Sequence, residues 1–408
     1  MSTPPPSAEP VRGGVVVIGA GPAGLAAAAS LMQAGEQVVV LERAACVGSS
    51  WRSHYDRLHL HTVKQHSALP FLPFPADYPR YVPRAKVVDY LTDYAAHFGI
   101  PARFEQEAVQ VRKAADGEWI TTCKSGLECR SAFVVVATGV NQVPNMPVLP
   151  GLSGFRGQVL HSADYRNPRD FSGRRVLVIG MGNTGAEIAL DLAEQQVAVA
   201  LSVRSAVNVV YRDIAGRPTQ LTAIALARLP VKLGDAIAVA VRNLTVGRLE
   251  RYGLRTSKVS PLKQLREEGR TPVIDIGTLA MIKKGRIAVR PGIETFTADG
   301  VRFLDGVTEP YDAVILATGF HSRAAELFPG VDLGADEKGL PPSCAGTGPV
   351  EGVFFLGFDL RQPGGVLRTI SMQAQEVARA VHAQRGAPER AARRKASSKA
   401  AARFKQTP

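Results

Sequence analysis

The sequence predicts an α/β fold, because one pattern of strand, glycine turn, helix and strand occurs twice, about 160 residues apart. Val15–Ile18 is an apolar β-branched run suited to a central parallel strand, and Gly19–Gly24 is a glycine turn. Leu25–Ala34 then reads as an alanine-rich helix and Val38–Leu41 as a second strand. The pattern returns as Arg175–Ile179, Gly180–Gly185, Ala186–Leu192 and Val197–Val203. A further echo joins Phe133–Gly139 (FVVVATG) to Ala313–Gly319 (AVILATG), both apolar strands ending in Ala-Thr-Gly. If the first closes the part before an insertion and the second marks the return, two Rossmann-like dinucleotide-binding domains result, the second inserted into the first. The expected map is a disordered N-terminus over 1–10 and a discontinuous first domain over 11–168 and 310–383. The inserted domain covers 169–309, and a basic disordered tail covers 384–408.

The 408 residues, 45% hydrophobic and 21% charged, suffice for a large core and about two or three domains. Glycine and proline are scattered without a collagen-like period. Four cysteines (Cys46, Cys123, Cys129, Cys344) form no Cys-x-x-Cys pair, which removes the sequence support for zinc ribbons and redox couples and fits a reduced, cytoplasmic setting. The residues from Arg385 to Pro408 include eight basic residues and one acid, and so supply seven of the thirteen net positive charges. The tail therefore reads as solvated, with no nucleic-acid partner expected. Gly13–Gly35 carries no charge over 23 residues, but Gly19, Gly21, Pro22 and Gly24 interrupt it, so no integral membrane segment is expected.

Gly19-x-Gly21-x-x-Gly24 follows a strand and opens a helix. The first glycine permits the turn, the second admits a pyrophosphate to the backbone, and the third packs helix on strand. Glu42 ends the next strand, 18 residues after Gly24, where a carboxylate accepts hydrogen bonds from an adenosine ribose; Arg43 stands beside it. Gly180-x-Gly182-x-x-Gly185, with Asn183 inside it, repeats the device, but Arg204 takes the place of the acid. An acid would repel a 2′-phosphate, whereas Arg pairs with it. The contrast assigns the first site to FAD and the second to NADPH. No metal-ligand cluster or Ser-His-Asp order competes.

Between the two units lies Phe155-x-Gly157-x-x-x-His161-x-x-x-Tyr165, and here the sequence resembles the class B flavin monooxygenases. Related Baeyer–Villiger enzymes carry Trp where Tyr165 stands. Tyr55-Asp56-Arg57-Leu58-x-Leu60-His61, Lys64-Gln65, Phe74-Pro75-x-Asp77-Tyr78-Pro79, Thr271-Pro272-Val273-x-Asp275-Ile276-Gly277 and Leu316–Phe320 resemble the plant YUCCA group. The likeness runs from about Val15 to Ala380. It departs at Phe320, where Tyr is usual, at Gly357-Phe358-Asp359-Leu360, and in a less apolar Leu221–Val241 stretch. The resemblance implies an FAD- and NADPH-dependent monooxygenase that oxidatively decarboxylates indole-3-pyruvate to indole-3-acetate through a flavin C4a-peroxide. It also implies flavin contacts by Gly48–Trp51, with Trp51 included, and by Asp359. His61 stands where many animal-type enzymes carry an Asn near the flavin edge, and is the one candidate catalytic residue.

The expected partners are a small-molecule substrate and O2, with an oligomer left open. N- or S-oxygenation of amines or sulfides is an alternative chemistry that would release no CO2. A non-oxygenating flavoprotein reductase is a third reading, and a binding protein with a basic tail a fourth. The Leu221–Val241 stretch is open to use as a lid, a dimer contact or a membrane patch, with ordinary packing favoured.

Overall fold

The computed structural model describes residues 11–404, with side-chain surroundings for 14–385; the expected disordered N-terminus lies outside it. Strand β1 (Val11–Ile18), helix α1 (Pro22–Gln33) and strand β2 (Val38–Leu41) form the first predicted unit. Helix α2 (Arg84–His97) and strands β3 (Ala102–Arg103), β4 (Ala108–Lys113), β5 (Trp119–Cys123) and β6 (Glu128–Val136) complete this part. The sheet order is β3-β2-β1-β6-β5-β4, parallel from β3 to β6 and antiparallel beyond. Val15, Val16 and Val17 are fully buried, as a strand covered on both faces requires. In α1, Ala26 to Ala29 are also fully buried, and their small side chains let the helix lie close to its neighbours.

The second unit contains β7 (Gln158–His161), β8 (Arg175–Ile179), α3 (Asn183–Glu194), β9 (Ala198–Ser202), β10 (Val209–Tyr211), α4 (Thr219–Leu226) and α5 (Val231–Val246). It continues with α6 (Pro261–Glu268), β11 (Val273–Asp275), α7 (Thr278–Lys283), β12 (Ile287–Arg290) and β13 (Ala313–Leu316). Its five-stranded parallel sheet has the order β12-β9-β8-β13-β7. This corrects the expected boundaries. The expected map puts both β7 and β13 in the first domain, yet each hydrogen-bonds within the second sheet. The two Ala-Thr-Gly strands are equivalent parts of two separate units, rather than the two banks of one insertion.

Strand β14 (Val353–Phe355) returns to the first sheet and pairs with β6. Helix α8 (Val366–Phe404) then packs Ile370, Ala374, Val377 and Val381 into the same core as α1. The backbone is thus helical through most of the segment expected to be a disordered tail, in keeping with its Ala, Lys and Arg content. The two connections between the units run side by side. Val143–Pro144 pairs antiparallel with Phe320–His321, and the Asn145 N–H donates to the Gly319 carbonyl at 2.9 Å.

Candidate dinucleotide sites and the cavity between the units

Each glycine loop is held by its own Ala-Thr-Gly strand. Gly19 has φ +108°, and a Cβ there would lie 2.6 Å from the Ala137 carbonyl oxygen. Gly180 has φ +104° and meets Ala317 oxygen at 2.7 Å. The third glycines are tighter still: a Cβ on Gly24 would lie 1.7 Å from Gly19 oxygen, and one on Gly185 2.0 Å from Gly180 oxygen. Gly21 and Gly182 differ, with nothing within 4 Å of an added Cβ. They are the N-caps of α1 and α3, neither of which has a side-chain cap. Both helix starts therefore present backbone N–H donors to open space, the arrangement that receives a diphosphate.

Glu42 is 5% exposed, and its carboxylate accepts from the N–H groups of Ala20 at 2.7 Å and Ala44 at 2.9 Å. Its remaining lone pairs stand at the edge of the first loop, as ribose hydroxyls would require. Arg43 beside it is exposed. Gly48, in the left-handed region at φ +63°, donates its N–H to Ala20 oxygen at 3.0 Å. That bond draws the Gly48–Trp51 stretch against the glycine loop; Trp51 itself is half-buried against the first core. Asp359 is engaged locally, accepting from the Arg361 N–H at 2.9 Å and from Gln362 Nε2 at 3.2 Å. Gly357 of that segment faces α1: a Cβ there would lie 3.0 Å from the Ala23 methyl.

At the second loop the Asn183 side chain serves the protein. Its Oδ1 accepts from the Ile274 N–H at 2.7 Å, and its Nδ2 donates to Pro272 oxygen at 3.2 Å, fixing α3 to β11. Arg204, just past β9, is exposed, and its carbonyl accepts a hydrogen bond from the Arg255 guanidinium. Two cations therefore meet at the strand end where the first unit has Glu42. His161 accepts at Nδ1 from the Ala163 N–H and donates from Nε2 to the Gly319 carbonyl, both at 3.1 Å. Burial lowers its pKa, so it is a neutral pin on the connection between the units. Gly157 is demanded by the same segment: a Cβ there would lie 2.4 Å from the Phe155 ring.

A cavity of about 140 Å³ lies between the units. Its wall includes His61 and Thr62 from the first unit, Ala223, Leu226 and Val241 from α4 and α5, and Gly364 and Gly365 before α8. Gln220 ties these parts together, accepting from the Val63 N–H at 2.7 Å and donating to Gly364 oxygen at 2.5 Å. The Leu221–Val241 stretch is thus wall material on one side, although Leu229, Val231 and Leu233 remain exposed. Arg212, Arg242 and Asp359 also line the cavity. Arg242 is 5% exposed, donates to neutral acceptors on Asn208, Ser257 and Asn243, and forms no ion pair among the described residues. An adjoining cleft of about 630 Å³ lies along α5, α6 and the 334–344 segment and shares Leu226, Leu262, Leu265 and Asp359 with the cavity.

Sequence reading missed the polar cluster where the units meet. Glu187 and Asp191 lie one turn apart on the buried side of α3. Tyr55 donates to Glu187 Oε2 at 2.8 Å, and Tyr165 donates to Asp191 Oδ2 at 2.7 Å. Arg57 pairs with Glu194 and, at 3.8 Å, with Asp191. Burial raises the Asp191 carboxyl above its usual range. Acids at i and i+4 on an otherwise apolar helix face were the available signal.

Two glycine-loop cradles on one chain, the first with an acid at its strand end and the second with arginines, fit an oxidoreductase that carries a flavin and takes electrons from NADPH. The chain belongs to the flavin-binding monooxygenase-like family, whose model matches residues 13–329. It is 39% identical over 381 residues to the indole-3-pyruvate monooxygenase YUCCA1 of Oryza sativa, covering 91% of this chain and 92% of that one. It is 38% identical over 382 residues to the indole-3-pyruvate monooxygenase YUCCA6 of Arabidopsis thaliana, covering 90% of each. Among solved structures, a flavin-containing monooxygenase from Stenotrophomonas maltophilia matches the fold with a TM-score of 0.71 and 24% identity, over 92% of this chain and 99% of that one. The protein is an NADPH-dependent flavin monooxygenase with FAD as its prosthetic group. No helix among the described residues is long and apolar enough to cross a membrane, and no group of three or more metal-ligating side chains occurs among them.

Proposed function

We propose that the enzyme oxidatively decarboxylates an aryl 2-keto acid, indole-3-pyruvate before others, to the acid one carbon shorter. The observation that carries this is the similarity to indole-3-pyruvate monooxygenases along nine-tenths of the chain. The keto acid, O2, NADPH and a proton give the shortened acid, CO2, NADP⁺ and water. FAD, held by Gly19, Gly21, Gly24 and Glu42 and reduced by NADPH, supplies the activated oxygen.

The chain binds, orients and excludes water. Backbone N–H groups at the starts of α1 and α3 hold the two diphosphates, and Arg204 selects the nucleotide that carries an adenosine 2′-phosphate. Apolar groups of α4 and α5 offer the aryl ring a dry surface. Arg212 is paired with Asp213 at 3.3 Å, whereas Arg242 forms no ion pair among the described residues and leaves the cavity a charge that favours an anionic substrate.

Purified enzyme with indole-3-pyruvate in air tests the reading through the amounts of NADPH consumed, indole-3-acetate formed and hydrogen peroxide released. Near one-for-one acetate is expected. NADPH loss appearing only as peroxide would reject the substrate and direct the search to amines and sulfides.

A further inference from the structure

Glu187 is 2% exposed, and a carboxylate so buried requires a compensating charge or a shared proton. Among the described residues, His61 is the one basic side chain within 4 Å, its Nε2 lying 3.3 Å from Glu187 Oε2. That is an ion-pair contact rather than an aligned hydrogen bond: His61 Nε2 and Glu187 Oε1 are both buried without a hydrogen-bond partner. The two residues come from different units. Glu187 stands five residues into the chain from Gly182, on the helix whose start receives the second dinucleotide, whereas His61 lies on the cavity wall.

We propose that Glu187 is a positioning residue for the reaction: it holds His61 by Nε2, so that the opposite ring nitrogen, Nδ1, donates a hydrogen bond to the keto oxygen of the substrate. The proposal rests on the keto-acid reading and adds two residues to it. With Nε2 turned to the carboxylate and a proton on Nδ1, the pair offers one donor to the cavity. Tyr55, donating to the same Glu187 oxygen, keeps the carboxylate from turning away. The other charged groups nearby are Arg57 and Asp191 at the junction, and Arg212, Arg242 and Asp359 around the cavity. Neither Asp191 nor Asp359 lies within ion-pair distance of the His61 imidazole among the described residues.

The test compares indole-3-pyruvate with indole-3-propionate, which has no oxygen at that carbon. Affinities are read from the perturbed spectrum of the oxidised flavoprotein. Wild type is expected to prefer the pyruvate by about tenfold, the effect of one hydrogen bond. His61→Leu and Glu187→Leu should each level the two ligands, with flavin content unchanged. The double variant should do no more than either single one, because the residues act as a unit. Glu187→Gln, which keeps an acceptor, should retain part of the preference.

Equal loss of both ligands in His61→Leu, or a preserved preference in either leucine variant, overturns the role. Should the leucine variants not fold, wild type with no preference for the keto compound overturns it without them, and His61→Asn gives the milder comparison. Wild-type turnover is measured in parallel. Acetate formation with a preference that survives in His61→Leu sinks this inference alone. Neither acetate nor preference sinks both readings. A preference abolished in His61→Leu without acetate sustains the hydrogen bond and rejects the reaction.

Discussion

Replacing Arg204 by Ala tests whether this side chain distinguishes NADPH from NADH. The side chain stands exposed past β9, and Arg255 engages only its main-chain oxygen. Removing it therefore leaves no buried group unpartnered and should not disturb the fold. A charge-assisted hydrogen bond contributes about 1.5–3 kcal/mol, and solvent screening at an exposed position favours the lower end. About 1.4 kcal/mol corresponds to a factor of ten, so the apparent Kd for NADPH should rise about tenfold while that for NADH stays the same. The assay is anaerobic reduction of the bound flavin, followed spectroscopically over a range of each nucleotide, without organic substrate. Raising the salt should shrink the wild-type preference, because the contact is between exposed charges. If the variant keeps the wild-type ratio of NADPH to NADH affinity, the 2′-phosphate is read elsewhere and the assignment of Arg204 fails.

Gly24→Ala should yield protein without flavin, since its methyl would lie 1.7 Å from a backbone oxygen; Gly21→Ala, with open space around it, should fold normally and bind FAD more weakly. Absorbance of released flavin per chain reports both. His161 is neutral in the fold with a lowered pKa, so its stabilising contribution is complete above the ordinary histidine value near 6.5 and lost as pH falls through the lowered value. Thermal melting between pH 8 and 5 should therefore decline less in His161→Gln than in wild type, and parallel declines would assign the loss to other groups. Leu177, fully buried in β8, should cost about 2–5 kcal/mol when cut to Ala, read from denaturant unfolding of the flavin-loaded protein.

What could be read from the sequence was whatever a local pattern enforces. The glycine spacings follow from backbone clashes within a few residues, so Gly19 to Gly24 and Gly180 to Gly185 fall where expected. Glu42 and Arg204 follow from their places at strand ends. The destination of Ala313–Leu316 was different in kind. An apolar strand ending in Ala-Thr-Gly suits either sheet, and only its pairing with β8 and β7 decides. Asp359 was legible by residue type alone; that its oxygens also close a local turn depends on the positions of Arg361 and Gln362. Glu187 escaped notice because its partners, Tyr55 and His61, lie more than a hundred residues away.

The paired connections at Val143–Pro144 and Phe320–His321 have a consequence for how such a chain can be rebuilt. Asn145 and Gly319, the residues where the polypeptide leaves and rejoins, are hydrogen-bonded neighbours. Topologically, the stretch 146–318 is a cassette whose two ends touch. A cassette of that kind can be lifted out and replaced by a short turn, or exchanged for another nicotinamide-binding module, without stretching the host sheet. Genetic recombination needs only one permissive point in the host to install it, and protein engineering can use the same seam.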